Sequence, residues 1–93
     1  MSVIWHRSRD IAEIDDGSGD RFAVLSLAAD RPVVLTGTAA RIWRLIDGTR
    51  TQAEVLAELL AAFPGASEKD VAGELDDFLI GLRSGGLAEA RGA

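Results

Sequence analysis

Residues 32–51, PVVLTGTAARIWRLIDGTRT, constrain this chain most, because a short apolar strand runs there directly into a helix with almost nothing between them. Val33, Val34 and Leu35 form an apolar, largely β-branched run, and Thr36-Gly37-Thr38 offers a hydroxyl to cap the next helix. Ala39, Ile42, Trp43 and Ile46 recur at helical spacing on one face, and Gly48 stands where a helix-ending glycine belongs. Thr51 and Glu54 make a capping box, so a second helix is expected to begin about three residues after the first stops.

Upstream, residues 1–10 read as an ordered arm or short strand, with Trp5 in the run Val3-Ile4-Trp5 as a packing residue. Residues 11–16 alternate weakly and run into Asp16-Gly17-Ser18-Gly19-Asp20, a strong turn signal. Residues 22–28, FAVLSLA, are long enough for a strand and too short for a helix, which predicts an antiparallel hairpin. Asp30-Arg31-Pro32 is the next turn, and proline is tolerated where a strand begins without a ladder donor. In a three-stranded meander the Val33-Val34-Leu35 strand lies at an edge, and nothing in it blunts that edge with charge. Such an edge is either covered by the same chain or kept open for a partner.

The second helix is expected over residues 51–63, with Val55, Leu56, Leu59, Leu60 and Phe63 on its apolar face and Pro64-Gly65 as its stop. Ser67 and Asp70 repeat the capping signature and open a third helix to about Ser84, with Val71, Leu75, Phe78 and Leu82 as its core seam. At 100° per residue, Ala72, Asp76, Leu79 and Arg83 line one shoulder of that seam, and Asp70, Glu74, Asp77 and Gly81 line the other. Spacing leaves open whether Leu79 broadens the buried face or lines a groove. Gly85-Gly86 ends the helix, Leu87 tucks back under, and residues 90–93 are expected to fray.

A chain of 93 residues with no cysteine must rest on a single hydrophobic core, without disulfides or thiolate metal sites. No apolar run approaches the roughly 20 residues of a membrane span, and residues 1–9 lack a signal peptide's apolar segment, so a cytoplasmic protein away from membranes is expected. The chemistry of catalysis is missing too. Asp15, Asp16 and Asp20 lack the spacing and closing glutamate of a calcium loop. His6 is the single histidine, too few for a metal cluster or a nucleophile triad. Gly17-Ser18-Gly19 has no following Lys-Ser/Thr, and the adjacent Asp76 and Asp77 point to different helix faces. The expectation is a binding protein rather than an enzyme, with no cofactor and no metal.

Three strands followed by three capped helices make an α+β chain. The hairpin over residues 11–28, the run PVVLTGTAARIWRLIDGTRT, the AEVL of the second helix and the FLIGLRSGGL that closes the third together resemble the PqqD family, the RiPP recognition elements, over residues 11–89. The resemblance implies a winged-helix-turn-helix-like fold, with an N-terminal three-stranded antiparallel sheet followed by three helices. It also implies a function: holding the leader of a ribosomally made precursor peptide and presenting it to a modifying enzyme or leader protease, with a lasso-peptide pathway favoured. In such domains the leader adds as a strand between the third strand and the third helix. By position this points to Val33, Val34, Leu35 and Thr36 for main-chain pairing, to Leu75, Phe78, Leu79 and Leu82 for an apolar wall, and to Asp76 and Arg83 for polar contacts.

Two other readings compete. A DNA-binding winged helix needs a basic recognition helix, but the third helix sets Lys69 and Arg83 against Glu68, Asp70, Glu74, Asp76 and Asp77 in a chain of net charge −5, so no nucleic-acid partner is expected. A structural accessory module would instead pair the bare edge with a second copy, as a homodimer.

Overall fold

The computed structural model describes residues 3–15, 17–18, 20–27 and 31–92. The expected hairpin forms from β2 (Ile11–Asp15) and β3 (Arg21–Ser26), and the strand before the first helix is β4 (Val33–Thr36). These three make one antiparallel sheet in the order β2-β3-β4, with β4 at an edge. Its register sets Val24 against Val33 and Phe22 against Leu35. Phe22, Val24 and Leu35 are buried, so Val33 shares the inner face with them while Val34 and Thr36 lie on the outer face. Asp16, Gly19 and residues 28–30, part of the expected strand and turns, and Ala93 of the tail expected to fray fall outside the described residues.

A second sheet departs from the expectation of one N-terminal sheet. β1 (Val3–Arg7) lies between β5 (Asp47–Thr51) and β6 (Ala88–Gly92), antiparallel to both. The strand β5 occupies the place where a loop between two helices was expected, and β6 takes in residues 90–92 of the tail expected to fray. Their sequences, DGTRT and AEARG, carry no apolar alternation, so period-2 reasoning has nothing to find. What holds them is pairing with β1, a partner more than 40 residues away in each case, as in Ile4 with Thr51 and Trp5 with Ala90. The winged-helix description is thereby corrected to an α+β fold with two three-stranded antiparallel sheets and three helices.

The helices are α1 (Thr38–Leu45), α2 (Gln52–Ala62) and α3 (Glu68–Ser84). The expected hydroxyl cap of α1 does not form: Gly37 is its N-cap, at φ 60°, with no side-chain bond. A backbone that must turn from strand to helix in one residue takes the left-handed region, where glycine has no Cβ penalty. The helix stops at Leu45 with Ile46 as C-cap, so Gly48 belongs to β5 and not to the helix end. The capping box of α2 is complete, with Thr51 Oγ1 accepting from the Glu54 amide at 3.1 Å and Glu54 Oε1 accepting from the Thr51 amide at 2.9 Å. Ser67 Oγ accepts from the Asp70 amide at 3.4 Å and opens α3.

Two tryptophans tie the sheets to the helices. Trp43 on α1 is fully buried and donates Nε1–H to Glu13 of β2 at 2.9 Å, while Arg7 of β1 donates to the Trp43 carbonyl at 3.1 Å and lies over the ring. Trp5 is buried, as a packing residue should be, and donates to Gln52 at the start of α2 at 2.8 Å. Val24, Leu35, Trp43, Ile46, Val55, Leu59, Leu75 and Leu79 run through one continuous core. No helix among the described residues is long and apolar enough to cross a membrane.

Candidate functional site

Among the described residues four strands lie at sheet edges, and their charges distinguish them. β2 carries Glu13 and Asp15, β5 carries Asp47 and Arg50, and β6 carries Glu89 and Arg91. β4 reads Val-Val-Leu-Thr and carries none. Charged side chains are the usual guard against an incoming strand, so β4 is the edge left unguarded.

Beside that edge lies an apolar groove of about 460 Å³. β4 contributes Val33 and Leu35, and α3 contributes Asp77, Phe78, Gly81 and Leu82. Gly85 and Leu87 after α3, Ser26 of β3 and Arg31 just before β4 complete the lining. α3 packs on α2 and β6 and stands off from β4, which is what leaves the groove open. The turn after α3 fits tightly: Gly86 has φ 74°, and a Cβ there would lie 3.2 Å from Ser26 Oγ, so a side chain at 86 would be both strained and crowded. A smaller concavity of about 170 Å³ continues past Phe78 between α1, α2 and α3, lined by Ala39, Ile42, Leu59, Val71 and Leu75 among others. Phe78 lines both.

The sequence-derived site residues separate into two groups. Val33, Leu35, Phe78 and Leu82 line the groove, Leu75 lines the smaller concavity, and Val34 and Thr36 lie on the edge strand with side chains on the outer face. Val33 and Val34 are 42% and 51% exposed, whereas Leu35, at 3%, is buried at the base of the strand's inner face.

Asp76, Leu79 and Arg83 belong elsewhere. Leu79 is completely buried in the core and does not line the groove. Gln52 Nε2 donates to Asp76 Oδ1 at 3.2 Å, extending the Trp5–Gln52 contact, and the Arg83 guanidinium lies 5.9 Å from the Trp5 ring centroid. That shoulder of α3 therefore faces α2 and the second sheet. The unforeseen sheet accounts for this: β6 packs on α3 and Trp5 of β1 meets Arg83, which leaves the groove to the shoulder of Asp77 and Gly81. Gly81 was a usable signal, since a glycine inside a helix lowers helix stability and marks an open or closely approached surface.

The Thr49 hydroxyl and amide hold Asp47 below the usual aspartate range, and the Thr51 amide and hydroxyl do the same for Glu54, but both lie away from the groove. Among the described residues no group of three or more His, Cys, Asp or Glu side chains could hold a metal ion. An unguarded strand edge beside an apolar trough suits an extended peptide.

Residues 21–88, well over half of the chain, match the family described as Coenzyme PQQ synthesis protein D (PqqD). The chain belongs to the PqqD family. The match runs from β3 through α3 to the first residue of β6 and so includes every residue that lines the groove. PqqD-family proteins are RiPP recognition elements, non-catalytic accessory proteins that bind a precursor peptide and work beside modifying enzymes. No curated protein and no solved structure matches the chain.

Proposed function

We propose that this protein holds the leader of a ribosomally synthesised precursor as a fourth strand along β4 and presents it to a modifying enzyme or leader protease, in a pathway of the lasso-peptide type. The observation that carries this reading is the coincidence of the one uncharged edge with the apolar groove beneath α3. The main chain of Val33, Val34, Leu35 and Thr36 supplies the ladder, and Val33, Phe78 and Leu82 receive alternate leader side chains. Arg31 and Asp77, of opposite charge on the two walls, meet polar leader residues. Backbone pairing tolerates sequence, and the trough supplies the choice.

The energies suit a transient carrier. About four main-chain bonds at roughly 1 kcal/mol net contribute about 4 kcal/mol. One or two leader side chains buried at about 1.5–3 kcal/mol each add a similar amount. Ordering a flexible leader removes several of these roughly 8 kcal/mol, which leaves about 4–5 kcal/mol, an affinity in the upper-micromolar to millimolar range. The protein works without a cofactor and in the cytoplasm, where precursors are made.

The test takes the leader half of the short open reading frame beside this gene, labelled at one end, as the probe. Amide exchange should slow at residues 33–36 when it binds, and the neighbouring genes should include a leader protease and a ring-forming enzyme. Protection at β2, β5 or β6 with none at β4 would defeat strand addition at this edge. A concentration-dependent dimer that the peptide cannot dissociate would instead establish β4 as a self-pairing edge.

A further inference from the structure

Away from the groove, α1, β5 and α2 bring three arginines together. Arg41, Arg44 and Arg50 line a polar concavity of about 320 Å³ with Leu45 and Glu58. It shares no residue with the groove, so the two can be occupied at once. Arg41 and Arg44 are exposed and lie one turn apart on α1, a helix without a single acidic side chain. Among the described residues the ion pairs are His6–Glu89, Arg7–Glu13 and Arg50–Asp47, which leaves Arg41 and Arg44 without a carboxylate partner. The Arg41 guanidinium lies 5.6 Å from the Phe63 ring centroid, and Arg50 is held by Asp47 at 2.8 Å, so two of the three forks are already positioned. Phe63, 40% exposed after the end of α2, thereby has a role that membership of an apolar helix face did not suggest.

Charge makes this face unlike the rest. The chain carries 15 acidic and 10 basic side chains, and three of those basic groups converge where Glu58 is the one carboxylate of the lining. Planar guanidinium forks match carboxylates in a bidentate manner, and forks held in advance lose less freedom on binding. An acidic partner is repelled by most of this surface and admitted at one place, which sets orientation as well as contact.

We propose that the Arg41–Arg44–Arg50 concavity docks an acidic segment on the surface of the modifying enzyme to which the leader is presented. This rests on the leader-presenting function above for the identity of the partner, and on the arginine geometry for the chemistry. A carrier of this kind needs a second surface that stays free while the groove is filled, and this concavity meets that need. Carboxylates are favoured over a nucleic-acid backbone because Glu58 and Asp47 border the arginines, and a run of phosphates is too broad to avoid them.

The experiment titrates the full chain with a labelled hexaglutamate peptide at low ionic strength and follows backbone amide shifts. Leader affinity is measured in parallel on the same samples. Shifts should concentrate at Arg41, Arg44, Leu45, Arg50 and Glu58, and the double variant R41Q/R44Q should bind hexaglutamate at least about tenfold more weakly while its leader affinity stays unchanged. Should that variant fail to fold, Glu58→Gln serves in its place, and removing the one lining carboxylate should tighten hexaglutamate binding about two- to threefold. Shifts spread equally over Arg9, Arg21 and Arg31, displacement by an equal concentration of orthophosphate, or tighter binding of a DNA duplex at the same residues would each overturn the proposal. Leader binding lost in the wild type with hexaglutamate binding intact would remove the presenting role and leave the carboxylate-binding surface standing.

Discussion

Replacing Gly81 by leucine separates stability from binding, because the two should move in opposite directions. Gly81 lies within α3 on the groove wall, and a Cβ built on it meets nothing within 4 Å. Glycine inside a helix is less favourable than leucine by about 0.5–1 kcal/mol. For a domain of this size each kcal/mol moves the melting temperature by about 4–8 °C, so Gly81→Leu should melt roughly 2–8 °C higher than the parent. The new side chain projects into the trough towards β4, in the space a leader side chain needs. Losing the burial of one such side chain, about 1.5–3 kcal/mol, weakens the complex by about 10- to 150-fold. Thermal melts by circular dichroism and anisotropy of the labelled leader read the two effects separately. Gly81→Ala should retain most of the stabilisation with a much smaller loss of binding. A stabilised Gly81→Leu protein that takes the leader at unchanged affinity would refute the groove as the site, and a lower melting temperature would refute the open wall on which the reasoning stands.

Leu79→Ala should cost about 2–5 kcal/mol in urea denaturation with little specific effect on the leader, because Leu79 is sealed in the core; a cost below about 1 kcal/mol would return it to the surface. Of Val33→Pro and Val34→Pro, the variant whose lost N–H points away from β3 should keep its helices and lose the leader, and a folded variant of this pair that still binds normally would count against strand addition. Glu54 is held below the ordinary glutamate range by the Thr51 amide, so its contribution to stability is complete above the unfolded value of about 4.3 and is lost as pH falls through the lower folded value. Glu54→Gln should therefore flatten the acid limb of a melting-temperature profile, and an unaltered limb would assign the acid loss to other carboxylates. Leader affinity should change only modestly between low and moderate salt, since the trough is apolar; a steep fall would point to a charge-driven contact.

The first sheet, the helices and the bare edge were legible because each is written in local signals. A short apolar run between turn signals marks β3, the Thr51–Glu54 box marks the start of α2, and Val33, Val34 and Leu35 are uncharged wherever the strand is placed. β5 and β6 were not legible for a definable reason. In DGTRT and AEARG the pairing energy comes from β1, and neither segment has a periodic apolar face of its own. Tertiary pairing overrides local pattern there, and the missing sheet is also what misdirected the shoulder of α3.

That dependence gives the second sheet a role in setting the site. Trp5 of β1 bonds Gln52, Gln52 bonds Asp76, and Arg83 lies against the Trp5 ring, so one flank of α3 is tied at two levels about two turns apart. The segment after α3 is tied as well, since the Ser8 amide donates to the Leu87 carbonyl at 3.0 Å and β6 runs on beside β1. A helix fastened along one flank and at its end cannot turn to bring Asp76 and Arg83 to β4, nor close down on that strand to fill the trough itself. The apolar opening between Val33 and Phe78 thus has its counterpart in polar contacts on the opposite side of the helix, made by Trp5, Gln52, Asp76 and Arg83, none of which lines the groove.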